Sequence, residues 1–271
     1  MPDAVTEAVP SGAEAPLPLV EPTAEVVTVC RSADAMLDFY TRVLGLRQRA
    51  LMGRPGAGIY RLTAGRSVLQ LADAGRKPPS GDGGATGVAE LTVAVDDIDG
   101  VLERAGARAS ATSSDRLTVW RTEDPDGNAV RVVAGQGLTD SPCRLHVSLA
   151  AVDVDATLSF YRQALRLPAA TAGDPLLADP TGALAGDMRI GVRPAPPGAT
   201  PFEHGPWAAT GLRYLVGVVR DANDFHATLA SRGVPFAMDL RHDGPKDAFA
   251  VADPDGTWFE FVSMAAKGAD R

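Results

Sequence analysis

The chain has 271 residues, long enough for two domains at roughly 100–200 residues each, and 45% of it is hydrophobic, enough to bury a core. A net charge of −8 would be repelled by a phosphate backbone, which argues against nucleic acid as a partner. No apolar run reaches the ~18 residues of a membrane span, and Met1-Pro2-Asp3 opens without the basic and apolar regions of an export signal. The expectation is therefore a cytoplasmic protein with no membrane contact. Two cysteines make neither a disulfide framework nor a zinc cluster, and Cys30 and Cys143 read as small buried hydrophobes.

Residues 1–22 are rich in Pro, Ala and Glu without periodicity and read as a disordered tail; 265–271 read as a second tail. Beyond residue 22 the chain repeats itself. AEVVTVCRSADAMLDFYTRVLGL, from Ala24, is echoed by LHVSLAAVDVDATLSFYRQALRL, from Leu145. DPDGNAVRVV, from Asp124, is echoed by DPDGTWFEFV, from Asp253. Repetition over about half the chain divides it into domains at 23–134 and 143–264.

Each half divides again. VAELTVAVDDIDGVLERA, from Val88, matches LRYLVGVVRDANDFHATLAS, from Leu212, as strand, acidic turn and helix. The first helix places Met36, Phe39, Tyr40, Val43 and Leu44 on one apolar stripe. Ser32 or Asp34 can cap its start, and Gly45 can end it in a left-handed conformation. Arg166 stands in place of that glycine in the second copy, so that helix is expected to close differently. The DPDG tetrads are reverse turns before a strand. Stretches Gly75–Gly87 and Arg193–Gly205 link units within each half, and Ala134–Pro142 joins the halves.

Four βαβββ units, with FY pairs in the first helix of each half and DPDG before its last strand, resemble the vicinal oxygen chelate superfamily. That family includes glyoxalase I, extradiol dioxygenases and the fosfomycin and bleomycin resistance proteins. The resemblance implies an α+β fold of two curled mixed sheets, or half-barrels, with helices packed outside. It also implies a cavity on each concave face, commonly with a divalent metal, and a small-molecule ligand or substrate.

Carried onto this sequence, the family's first metal histidine falls on His146, fourteen residues before Phe160, and its ligand glutamate on Glu260, seven after Asp253. Such a pair is two thirds of a facial triad for iron, and suits Ni, Mn, Co or Zn equally. The remaining vertices carry Tyr214 and Gly191, a poor ligand and none; His204 and His242 are the nearest substitutes by position. His226 reads as a surface or boundary residue of a helix. In the first half the corresponding residues are Glu25, Gln70, Glu90 and Arg131, where a guanidinium replaces the glutamate.

The resemblance leaves the pairing of units open. Neighbouring units would unite His146, Tyr214 and Glu260. Exchanged pairing, first with fourth and second with third, would group Glu25, Gln70, Tyr214 and Glu260 in one cavity and Glu90, Arg131, His146 and Gly191 in the other.

Two functions follow. One is a metal-dependent lyase or isomerase on a small oxygenated substrate, with His146 and Glu260 holding the metal and Glu260 moving the proton. The other is a metal-free binder of drugs or metabolites, its cavity lined by Tyr214, Ser148, Trp207 and Trp258, with Trp120 a further aromatic candidate. Extradiol ring cleavage needs two histidines and a glutamate, which Tyr214 denies. The oligomeric state is not encoded in any motif.

Overall fold

The computed structural model describes residues 17–54, 57–75, 86–106, 111–114, 116–138, 140–171, 174–177, 179 and 181–264. The expected tails at 1–16 and 265–271, and 76–85 of the first linker, lie outside the described residues.

The first unit comprises β1 (Glu25–Cys30), α1 (Ala33–Leu37), β2 (Arg47–Arg54), β3 (Ala57–Ala64) and β4 (Ser67–Asp73). The second comprises β5 (Gly87–Ala94), α2 (Ile98–Ala105), β6 (Ala111–Ser113), β7 (Leu117–Glu123) and β8 (Ala129–Gly135). The third has β9 (Leu145–Ala151), α3 (Val154–Ser159), β10 (Gly182–Ala185) and β11 (Met188–Pro194). The fourth has β12 (Gly211–Val218), α4 (Ala222–Ser231), β13 (Phe236–Asp243), β14 (Lys246–Ala252) and β15 (Trp258–Met264). The third unit departs from the βαβββ expectation. Among the described residues its second strand is reduced to an isolated bridge between Ala169 and Ala183.

Two mixed sheets result, and they do not follow the sequence halves. One has the order β13-β14-β15-β12-β1-β4-β3-β2, uniting the first and fourth units. The other runs β10-β11-β9-β5-β8-β7-β6, uniting the second and third. The seams are antiparallel: Val27 faces Tyr214 across β1 and β12, and Thr92 faces His146 across β5 and β9. This is the exchanged arrangement.

Each sequence half is clasped across the two sheets. Tyr40 of the first FY pair, fully buried, donates its hydroxyl to Asp124 Oδ2 at 2.9 Å, and Tyr161 does the same to Asp253 Oδ2 at 3.0 Å. The third residue of each DPDG turn accepts a backbone N–H beyond the first strand of its half: Asp126 from Arg31 (2.8 Å) and Asp255 from Val152 (2.9 Å). The DPDG turns are therefore docking points as well as reversals.

The helix after β1 widens into a π turn over Asp38–Val43, and its counterpart over Phe160–Ala164. Met36, Tyr40, Val43 and Leu44 are buried, as the stripe requires. Ser32 sits at the N-cap but makes no capping bond. Both helices close alike, against expectation. Leu46 N donates to Tyr40 O and Leu167 N to Tyr161 O, with Gly45 at φ +81° and Arg166 at φ +59°. The register of the closure is held by the buried leucines, so Arg166 takes a left-handed conformation that costs an L-residue about 1–2 kcal/mol.

Residues 17–22 correct the expected disorder. Val20 N donates to Val218 O (2.8 Å), Leu17 and Leu19 pack on the main core, and the Pro22 carbonyl accepts from Asp187 N (2.6 Å). Cys30 and Cys143 are buried free thiols. Among the described residues no helix is long and apolar enough to cross a membrane.

Candidate functional site

Strand alternation gives each sheet a helix-facing side and an inner face. In the first sheet, register puts Glu25, Val27, Gln70, Arg61, Tyr214, Val216, Trp258 and Glu260 on the same side. Val27, Val29, Ala72, Tyr214 and Val216 form an apolar cluster there, packed by Ile59, Trp258 and Val262. Trp207, on a 3-10 turn at Pro206–Ala208, is 51% exposed at the rim, with its ring 6.2 Å from that of Tyr214.

Glu25 is buried, and both its oxygens are engaged. Arg61 pairs with Oε1 and the Gln70 amide donates to Oε2. Burial raises the Glu25 carboxyl and the Arg61 charge opposes it. The Arg61 Nε–H is buried with no partner among the described residues. Tyr214 is held well above the usual phenol range, by burial first and then by Glu260 and Glu25. Glu260 is partly buried, with no hydrogen bond among the described residues. Burial raises its carboxyl, Lys246 opposes, and Asp243 and Glu25 add to the rise.

In the second sheet, register collects Glu90, Thr92, Arg131, His146, Ser148 and Gly191 on one face. Asp174–Leu177 and Asp179 lie across it. Leu176 packs with Ala94, Val133 and Leu138; the Pro175 carbonyl accepts from Arg131 Nη2 (3.0 Å); and Asp174 pairs with Arg189. Asp179 occupies the space a Cβ on residue 191 would need, so the glycine marks a close approach by the covering segment. His146 Nδ1 accepts from Arg189 N at 3.1 Å, which leaves the proton on Nε2. Its pKa is pushed down to about 3, by burial first and then by Arg189, against Asp174.

The expected metal pair is therefore separated. His146 stands in the seven-stranded sheet and Glu260 in the eight-stranded one. They respond to different charges as well: Arg189, Asp174 and Arg131 for His146, Lys246, Asp243 and Glu25 for Glu260. The cause is the exchange of units. Of the other expected site residues, Tyr214, Trp207 and Trp258 accompany Glu260, whereas Ser148 accompanies His146; Trp120 packs in the main core. His242 is bonded to Asp247 (2.7 Å), and His204 packs edge-on against Phe202. Neither joins either cluster. Sequence reading missed Arg61 and Asp179, because one lies on a strand without a motif and the other in a segment without periodicity.

The family model described as the Glyoxalase/Bleomycin resistance protein/Dioxygenase superfamily matches residues 24–132 and 144–261. The chain belongs to this superfamily. Its fold is similar to that of a putative dioxygenase from Bacillus subtilis (16% identity, TM-score 0.65, covering 94% of this chain and 87% of that one). It is also similar to glyoxalase I from Zea mays (14% identity, TM-score 0.63, 88% and 91%) and to cppA protein from Streptococcus pneumoniae (14%, TM-score 0.54, 89% and 98%). At these identities the likeness shows the fold alone. No curated protein matches the sequence.

Members of this superfamily commonly bind a divalent metal. The residues here do not fit one. In the first cup, the Arg61 guanidinium and Gln70 already occupy the Glu25 oxygens, and Tyr214 is held as a neutral phenol. In the second, buried Arg131 takes the vertex expected of a glutamate. Among the described residues no three His, Cys, Asp or Glu are grouped to hold an ion.

Proposed function

We propose that the first cup binds a small oxygenated organic molecule without a metal ion. The observation that carries this reading is the Arg61 guanidinium on Glu25: a fixed positive charge with a buried Nε–H unpartnered among the described residues, on the same face of the sheet as Tyr214. Ligand oxygens would receive the Arg61 Nε–H and the phenol O–H, since an unmet buried donor favours any oxygen that reaches it. The apolar body of the ligand would lie on Val27, Val216 and Trp258, with Trp207 at the mouth.

Catechol, with two neighbouring oxygens on an apolar ring, is a direct probe. Titrated into the full chain, it should quench tryptophan fluorescence saturably. Tyr214→Phe should weaken binding about tenfold, the value of one buried hydrogen bond to a ligand oxygen. Saturable quenching that Tyr214→Phe leaves unchanged, or no quenching at all, would overturn this assignment.

A second reading makes the same cup an isomerase-type site, and it rests on Glu260. Burial raises that carboxyl toward the range useful for a proton acceptor, and it faces the cup without a partner among the described residues. Glu260 would remove a proton from a hydroxyl-bearing carbon beside a ligand carbonyl, giving an enediolate, and return it to the former carbonyl carbon as the hydroxyl proton passes to the carbonyl oxygen. Hydroxyacetone in D2O would then exchange its C–H protons by NMR in the presence of the protein, and Glu260→Gln would abolish the exchange.

A further inference from the structure

The second cup holds a set of polar groups that its own fold leaves unsatisfied. Glu90, Arg131, His146 and Asp179 are 6%, 4%, 1% and 7% exposed. Glu90 Oε1, Arg131 Nε and Nη1, His146 Nε2 and Asp179 Oδ2 are each buried without a hydrogen-bond partner among the described residues. They belong together. Thr92 is in register with both Arg131 and His146, Glu90 lies two residues along the same face, and Asp179 stands over Gly191. Arg131 feels the charges of Glu90, Arg121 and Asp179, and His146 feels that of Arg131.

An orphaned polar atom at this depth keeps its desolvation cost uncompensated, the more so when charged, so a cluster of five requires a partner. The composition of the cluster says which kind. Arg131 and His146 offer three donor nitrogens, the imidazole being neutral with its proton on Nε2. Glu90 and Asp179 offer carboxylate acceptors. Among the buried groups, two carboxylates against one guanidinium leave one negative charge in excess; Arg121, opposite Arg131 on the same face, is exposed and its charge is weakened by solvent, so a complementary occupant brings a positive charge. It presents N–H to the carboxylates and an oxygen to the guanidinium and imidazole.

We propose that the second cup is a separate binding site for a small primary amine carrying a neighbouring hydroxyl or carbonyl oxygen. The ammonium group donates to Glu90 Oε1 and Asp179 Oδ2, and the oxygen accepts from Arg131 and His146 Nε2. The segment Asp174–Leu177 covers the site, anchored by the Asp174–Arg189 pair and the Pro175–Arg131 bond. This assignment does not depend on what the first cup binds.

The test is calorimetric titration of the full chain with ethanolamine, ethylamine and glycolate. Ethanolamine should bind at one site per chain, ethylamine at least tenfold more weakly for want of the oxygen, and glycolate not at all. Glu90→Gln, which keeps the shape of the side chain, should weaken ethanolamine at least tenfold. Tyr214→Phe, in the other cup, should leave that binding unchanged, which separates failure here from failure of the first-cup assignment. A crystal structure with ethanolamine supplies a readout independent of variant stability. Ordered waters alone between Glu90 and Arg131 would overturn the proposal, as would ethanolamine binding indifferent to Glu90→Gln.

Discussion

His146 gives the acid response of this protein a calculable component. Its folded pKa of about 3 lies well below the unfolded value near 6.5, because burial and the neighbouring Arg189 disfavour the imidazolium. A histidine depressed in this way contributes stability that is present above pH ~6.5 and is lost as pH falls toward 3, because the unfolded chain takes up the proton first. The full span is about 5 kcal/mol, of which about 2 kcal/mol is lost between pH 7 and pH 5. Asp253 works in the opposite sense. Burial raises its pKa to about 6, so its contribution is greatest in acid and falls as pH rises through that value; it returns about 1 kcal/mol over the same interval. Asp253 offsets about half of that loss in the native chain, and His146→Asn isolates the imidazole while keeping an acceptor for Arg189 N–H. Urea unfolding at pH 7, 6 and 5 should show the stability difference between variant and native chain shift by about 2 kcal/mol in favour of the variant in acid. A difference independent of pH would refute the reasoning and mean that His146 is not held neutral by its surroundings.

Three further outcomes are expected. Tyr40→Phe and Tyr161→Phe each remove a buried hydroxyl from an aspartate, and urea unfolding should show each losing about 1.5–3 kcal/mol, with Asp124 and Asp253 left short of one donor. Gly45→Ala should cost about 1–2 kcal/mol from the left-handed backbone alone, since among the described residues beyond its chain neighbours the added Cβ would meet only an Arg104 nitrogen at 4.0 Å. Leu19→Ala should destabilise by about 1–2 kcal/mol if residues 17–22 are built on the core, and thermal unfolding would show no change if they were loose.

The units were legible in the sequence because their repeats carry physics. The FY helices, the DPDG turns and the alternating strands each reproduce one local solution twice. What the repeats do not encode is which unit meets which. β1 and β9 present the same kind of seam edge, and the joint at 134–142 spans either arrangement, so pairing is decided by the whole assembly. Placing Glu260 with His146 followed from assuming neighbours, whereas register sets Glu260 beside Tyr214 and Glu25. Arg61 escaped notice because nothing local marks a strand arginine that reaches a buried carboxylate. Asp179 escaped because only its position over Gly191 gives it a place in the second cup. The clasp was half visible: both tyrosines and both DPDG turns were evident, but their hydrogen bonds form only once the strands are folded together.

In the first cup a guanidinium, and not a metal ion, meets Glu25. Elemental analysis of the purified full chain, after dialysis against Ni, Zn, Mn, Co and Fe(II) salts in turn and removal of free ion, tests it directly. No stoichiometric ion is expected in the native chain. One ion per chain, lost in both Glu25→Gln and Glu260→Gln, would contradict it.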